Sequence, residues 1–122
     1  MIIKGKERGF SLTIGATIEI AEFCPGGDIS KVADAITKGG YAKQMGNICK
    51  LIVALNKGYE ERKAFEDPGY TPDPLTERDV RALTTADLTE LQGEAMAAFG
   101  RDSASTVETK PPKKESAPPR SA

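Results

Sequence analysis

The run GFSLTIGATIEIAEF, residues 9–23, changes its apolar period partway along without a turn between. Phe10, Leu12 and Ile14 alternate with polar residues, which is typical of a half-buried strand. Ile14 and Ile18 then recur at the spacing of a packed helix face. We therefore predict a strand that leads directly into a helix, with these four side chains in the core. Replacing Ile18 by alanine is then expected to cost about 2–5 kcal/mol of unfolding free energy.

The residues before this helix predict a small β-hairpin. Residues 1–4 and 8–12 are β-prone, and Gly5, Lys6 and Glu7 separate them. Gly5 can adopt the positive φ that a tight turn requires. Because a lone hairpin is only marginally stable in water, we expect it to pack on the helices.

Three helices are predicted in the first half of the chain. Thr13 caps the first, which the Pro-Gly-Gly sequence after Cys24 stops. Asp28 caps the second, which a Gly-Gly pair ends. The third and longest, residues 41–64, is the predicted central helix of the core. Its main apolar stripe consists of Tyr41, Met45, Ile48, Ile52 and Leu55, widened by Leu51.

A proline-rich linker, residues 66–74, separates these helices from two more. Thr76 and Asp79 have the spacing of a capping box at the start of a short fourth helix, which ends by Leu83. A threonine caps the fifth helix, and Gly100 closes it.

The chain therefore divides into one domain and a tail. Residues 1–100 are predicted to form a mainly α, small α+β domain, in which the N-terminal β-hairpin packs on a bundle of about five helices. Residues 101–122 are rich in Ser, Pro and Lys, and we predict a disordered C-terminal tail. The tail carries a net charge of +2 and the domain −3, so the domain is a poor surface for DNA phosphates.

The composition argues against catalysis and against a cofactor or metal site. The chain has no histidine, which is the commonest general base and metal ligand. Its two cysteines are too few for a disulfide scaffold, and Cys49 lies among apolar residues as a predicted buried free thiol. Glu19 and Glu22 share one side of a helix, which is typical of a solvated face. A Ser-Lys pair remains formally possible, but no motif supports it.

The chain also lacks the features of a membrane or secreted protein. No apolar run approaches the roughly 20 residues needed to cross a membrane. The N-terminus does not have the long apolar region of a signal peptide. We therefore expect a cytoplasmic protein with no membrane partner.

A small helix-turn-helix DNA-binding regulator is one alternative. The second and third helices flank a Gly-Gly turn, and the third begins with Lys43, Gln44 and Asn47, which can all contact DNA. However, that helix also carries the main apolar stripe, and the domain is net acidic. Nucleic acid is therefore not the expected partner.

Three segments, which together span residues 2–99, carry a family resemblance. The first is the hairpin that runs into FSLTIGATIEIAEF, an apolar strand, a small residue and an acidic helix. The second is the pair of aliphatic helices over residues 28–59. The third is PLTERDVRALTTADLTELQGEAMAAF, residues 74–99, a short helix, a threonine cap and a final amphipathic helix. Their order and spacing resemble the tail assembly chaperones of long-tailed bacteriophages.

The resemblance implies a protein that is not an enzyme and that binds the phage tape measure protein, a long and largely helical chain. Such chaperones keep that chain soluble in the host cytoplasm until tail tube subunits polymerise around it, and leave before the virion is complete. An amphipathic helical surface can cover apolar helix faces of this kind. The expected partners extend to the major tail protein and to further copies of the chain. Candidate partner contacts are Tyr59, Phe65 and Tyr70, which flank the proline linker and have packing of that linker as their alternative role.

The end of the chain raises one further expectation and one further alternative. In many members of this family a ribosomal frameshift near the end of the gene appends a second domain, and the Lys113-Lys114 doublet suits an adenine-rich slip site. The alternative is a structural tail or head-completion subunit that is retained in the virion.

Overall fold

The computed structural model describes residues 1–108 of the chain and shows the predicted class, a helical bundle with a two-strand antiparallel N-terminal sheet. Two single turns of 3-10 helix, Pro25–Gly27 and Ile29–Lys31, lie between the first and second α-helices. The strands are β1 (Ile2–Ile3) and β2 (Lys6–Glu7), and the helices are α1 (Ile14–Phe23), α2 (Val32–Thr37), α3 (Tyr41–Glu66), α4 (Glu77–Arg81) and α5 (Thr85–Glu108).

The hairpin is shorter than predicted. Ile2 pairs with Glu7 and Ile3 with Lys6, around a two-residue turn in which Lys4 and Gly5 have φ of 55° and 74°. This turn matches the twist of the strands, so pairing begins at Lys6. The prediction of a second strand over residues 8–12 is therefore wrong, and that segment runs as an irregular loop to the start of α1.

The loop lies against α3, which is the central helix as predicted. The Ser11 amide donates a hydrogen bond to the Leu55 carbonyl oxygen at 3.0 Å. Helices α1, α2, α4 and α5 all contact α3. Most of the predicted α3 stripe is confirmed as core, but Tyr41 is exposed and Met45 is only partly buried, because they precede the part of α3 that its neighbours cover. The buried members of the stripe are Ile48, Leu51, Ile52 and Leu55.

Helix α1 begins where predicted but faces the other way. Thr13 caps it by accepting a hydrogen bond from the Ala16 amide at 3.2 Å. Ala16 and Ile20 are buried, whereas Ile14 is 78% exposed and Ile18 is 59% exposed, so the prediction that these two isoleucines lie in the core is wrong. The reason is the close approach of α1 to α3. The small side chain of Ala16 packs at Gly58, which turns the two isoleucines outward.

Two glycines of α3 are expected to respond oppositely to alanine. At Gly58 a Cβ would lie 2.5 Å from the Ser11 carbonyl oxygen and 2.9 Å from Thr13 Oγ1, so the loop would have to move. At Gly46, no atom of another described element lies within 4 Å of that position. We expect Gly58→Ala to destabilise the fold by about 1–3 kcal/mol and Gly46→Ala to stabilise it by up to about 1 kcal/mol. Urea denaturation of both variants measures this, and a stabilised Gly58→Ala would contradict the packing.

The second half of the chain confirms the predicted capping box and corrects the end of α5. The Asp79 amide donates to Thr76 Oγ1 at 3.2 Å, and the Thr76 amide donates to Asp79 Oδ2 at 3.0 Å. Gly100 does not end α5, because Arg101 and Asp102 continue the helix. These two residues, which the composition predicts to belong to the tail, also contact the loop before α1. Arg101 donates to the Phe10 carbonyl oxygen at 3.3 Å, and Asp102 accepts from the Leu12 amide at 2.8 Å. Residues 109–122 of the predicted tail lie outside the described residues.

Candidate protein-binding surfaces

Two polar side chains of α3, Asn56 and Glu60, are fully buried one helical turn apart. Asn56 joins two segments that are distant in the chain. Its Nδ2 donates to the Gly9 carbonyl oxygen at 2.9 Å, and its Oδ1 accepts from the Leu75 amide at 2.8 Å. Asn56 therefore holds both the N-terminal loop and the proline-rich linker against α3.

Glu60 holds the hairpin and the linker in the same way. Its Oε1 accepts hydrogen bonds from Lys6 Nζ at 2.8 Å, the Tyr70 hydroxyl at 2.5 Å and the Asp73 amide at 2.9 Å. Lys6 also donates to the Tyr70 hydroxyl and lies 4.7 Å from the centre of its ring. Among the described residues, Glu60 Oε2 has no hydrogen-bond partner. The cluster of Lys6, Glu60, Tyr70 and Asp73 is called the Glu60 cluster below.

The protonation states of this cluster follow from its contacts. Burial by itself would raise the pKa of Glu60, but the hydrogen bonds from Lys6, Tyr70 and the Asp73 amide outweigh it, and the pKa lies below its ordinary value. The hydrogen bond to Glu60 raises the pKa of Lys6. Both groups are therefore charged at neutral pH, and neither is poised for proton transfer.

A buried arginine reinforces the same connection. Arg8 Nε donates to the Ile3 carbonyl oxygen at 3.1 Å, and its guanidinium donates to the Asp73 carbonyl oxygen. The guanidinium also lies 3.5 Å from Asp73 Oδ2. The buried charges of this region thus hold the hairpin and the proline-rich linker together, and they form a structural junction, not an open site.

The three predicted contact residues occupy different environments. Tyr59 is half-buried, and a Cβ placed on Gly9 would lie only 2.4 Å from its ring. Tyr70 is half-buried in the Glu60 cluster, and Lys63 Nζ lies 5.8 Å and 5.0 Å from the ring centres of Tyr59 and Tyr70. Phe65 is 79% exposed near the end of α3. The structure thus places the two tyrosines in the packing of loop and linker, whereas Phe65 is exposed with the Arg62 guanidinium carbon 5.6 Å from its ring centre.

The exposed isoleucines of α1, which the apolar period predicts to lie in the core, form an apolar surface. Ile14 and Ile18 lie four residues apart on the exposed side of α1, opposite Ala16 and Ile20, and Ile14 also lines a pocket with Arg62 of α3. Covering either side chain would remove apolar surface from water, which is favourable. Two faces of α1 are apolar, one with Ile14 and Ile18 and the other with Ala16 and Ile20. The apolar period alone does not determine which of them turns inward.

A second apolar surface is a cleft of about 340 Å³ between the start of α3 and the turn from α4 to α5. Tyr41, at its edge, is 72% exposed, and Met45 and Leu83 are partly buried. Cys49 also lines the cleft, and burial raises the pKa of its thiol, so the thiolate is disfavoured at neutral pH. Cys49 is a buried free thiol, as predicted.

The residues proposed for DNA contact are largely used within the fold. Asn47 is buried and donates to the Ala35 carbonyl oxygen at 2.8 Å. Gln44 Nε2 donates to the Gly39 carbonyl oxygen at 2.7 Å. Of the three predicted DNA contacts, Lys43 is the one side chain that is exposed and does not donate to a carbonyl oxygen of the fold in this way. The turn between α2 and α3 therefore presents little that could contact base edges.

A metal site and a membrane-spanning helix are both absent from the described residues. Within residues 1–108, no group of three or more His, Cys, Asp or Glu side chains is placed to hold a metal ion. None of the helices in that part of the chain combines the length and apolarity that a membrane crossing requires. Comparisons with protein-family models, curated proteins and solved structures find no match.

Proposed function

We propose that this chain is a tail assembly chaperone of a long-tailed bacteriophage, which binds the tape measure protein in the host cytoplasm and keeps it soluble while the tail tube assembles. The observation that carries the proposal is the exposed pair Ile14 and Ile18. Both lie in the segment FSLTIGATIEIAEF, on which much of the family resemblance rests.

The exposed surface suits transient binding of an apolar helix face. Covering one isoleucine side chain fully is worth about 1.5–3 kcal/mol, so a contact built on a few such residues is reversible. Reversibility is required of a chaperone that leaves before assembly is complete. Phe65 and the cleft beside Tyr41 and Met45 offer further apolar contacts of the same modest size.

Co-expression with the long tail gene product of the same phage tests the proposal. We expect that product to be insoluble alone, to become soluble with this protein and to co-purify with it. An unrelated small helical protein, expressed to the same level, serves as the control. Failure to solubilise and to co-purify would contradict the proposed function.

Purified virions distinguish a chaperone from a structural subunit. A chaperone acts before completion, so mass spectrometry of the particles should detect the tail proteins and not this chain. Stoichiometric recovery of this chain from virions would instead support a tail or head-completion subunit.

A further inference from the structure

Helix α1 presents a row of side chains with a defined chemical order. Ile14, Ile18 and Glu22 follow each other at intervals of four residues, so they lie along one side of the helix, and all three are exposed. Ala21, three residues after Ile18, is partly exposed beside them. The row is therefore apolar along the first turns of α1 and ends in a carboxylate. We call Ile14, Ile18 and Glu22 the α1 row.

An acidic cleft of about 320 Å³ continues the α1 row between α1, α3 and α4. Apolar atoms of Phe23, Val53 and Ala54 line it. Its charged lining residues are Glu19, Glu22, Glu77 and Lys50. Because Glu22 belongs both to the row and to the cleft, the two form one continuous surface.

The charge along this surface is predominantly negative. Glu61 flanks the start of the α1 row, since its Oε1 lies 3.8 Å from where a Cβ on Gly15 would be. Lys57 Nζ is paired with Glu19 at 2.9 Å, which neutralises one carboxylate. With Arg62 and Asp102, which line a pocket beside Ile14, the surface has five carboxylates against two lysines and one arginine, and α1 itself contributes no basic residue.

We propose that the α1 row and the acidic cleft dock an amphipathic helix whose apolar residues recur at intervals of three and four and are flanked by Lys or Arg. The inference rests on the proposed function, in which that helix belongs to the tape measure protein. The apolar residues of the helix cover Ile14 and Ile18, and its basic flank faces Glu22, Glu61 and Glu77. Charge complementarity of this kind mainly determines which helices bind and how fast they associate.

The same chemistry disfavours a second copy of this chain as the occupant. In a two-fold symmetric contact each copy presents the same patch, so both acidic edges would meet within one interface. A stable dimer also needs about 800 Å² from each partner, far more than two isoleucines provide. A short helix with a basic flank avoids the repulsion between carboxylates, and its transient contact does not require the area of a stable dimer.

Two designed helical peptides test the proposal with the full chain. Both carry leucines at intervals of three and four, and they differ only in having lysines or glutamates beside the leucines. By fluorescence anisotropy at low salt, we expect the lysine peptide to bind at least about tenfold more tightly than the glutamate peptide, a preference that added salt reduces. Glu22→Gln with Glu77→Gln should reduce the preference by several-fold.

Substitutions in the α1 row locate the contact. Ile14→Ser with Ile18→Ser should weaken binding of the lysine peptide by about tenfold or more. Ile2→Ser is the matched control, because Ile2 is 68% exposed but lies on the hairpin, and it should leave binding unchanged. Circular dichroism of each variant verifies that the fold is retained.

The outcomes separate this inference from the proposed function. Equal binding of the two peptides, no binding, or no effect of the double serine variant would overturn the inference. If the parent protein dimerises and the double serine variant does not, the inference is also overturned, and a second copy of the chain is the occupant. If the double serine variant still solubilises the tape measure protein, the proposed function stands and the inference fails. If the peptides bind as expected but that protein stays insoluble, the proposed function fails.

Discussion

Ile20→Ala is expected to reduce the free energy of unfolding by about 2–5 kcal/mol, whereas Ile18→Ala should change it by less than about 0.5 kcal/mol. The two isoleucines are two residues apart on α1, but Ile20 is fully buried and Ile18 is 59% exposed. Truncation of Ile20 removes packing atoms and leaves a cavity, while truncation of Ile18 removes atoms that already face water. Urea denaturation of the two variants against the parent protein measures both effects.

This pair tests the orientation of α1 directly, because each variant is the control for the other. A large loss for Ile18→Ala with a small loss for Ile20→Ala would show that α1 is rotated from the orientation described. The docking surface proposed on the α1 row would then be lost with it.

Glu60→Ala is expected to destabilise the protein by about 3 kcal/mol at neutral pH. The substitution removes the acceptor of three hydrogen bonds, and it leaves the Tyr70 hydroxyl and the Asp73 amide without their partner in a partly buried region. Removal of one member of a buried charged cluster is costly because the remaining polar groups stay desolvated. Urea denaturation measures this loss, and Glu61→Ala, at the exposed neighbouring position, is the control with little expected effect.

The contribution of Glu60 to the free energy of unfolding should also depend on pH. The direction of its pKa shift determines whether that contribution is lost toward acid or toward alkaline pH. The pKa of Glu60 in the folded protein lies below the ordinary value of 4.5, so the unfolded chain binds a proton first as pH falls. The stabilisation is therefore complete above pH 4.5 and is lost as the pH falls through the folded-state pKa. Glu60→Gln removes the charge at every pH, so its stability deficit should be larger at about pH 7 than at about pH 3. A deficit that is equal at the two pH values would contradict a lowered pKa.

Elements with local signals could be predicted from the sequence. The capping box of Thr76 and Asp79 needs only two side chains three residues apart, and it forms as predicted. The aliphatic stripe of α3 around Ile52 was also predicted, since buried positions on a long central helix recur with a clear period. Cys49 was recognised as buried from its apolar neighbours alone.

Other features depended on partners that are distant in the sequence. Glu60 belongs to a charged run, and its burial arises only when Lys6, Tyr70 and Asp73 are brought to it. Its position four residues after Asn56 and eight after Ile52, on the buried side of α3, was the one local sign of this role. The orientation of α1 likewise depended on the contact of Ala16 with Gly58, which no local pattern encodes.

The candidate contact residues lie in different environments, and this difference also depends on partners that are distant in the sequence. Aromatic side chains beside a proline-rich linker can pack on it or project from it, and composition does not distinguish the two. Tyr70 found a hydrogen-bond acceptor in Glu60, while Phe65, nearer the end of α3, lies on its exposed side. The isoleucines of α1 were overlooked because large aliphatic residues are usually counted toward the core.

The contact between the end of α5 and the loop before α1 has a consequence for the order of synthesis. Leu12 and Asp102 are 90 residues apart in the chain, so the loop is made early and its partner late. While the ribosome still holds the C-terminal part of the chain, the Leu12 amide and the Phe10 carbonyl lack their partners on α5. This contact can therefore form only after Asp102 has left the ribosome, and a chain truncated before Arg101 would lack the α5 partners of the first segment.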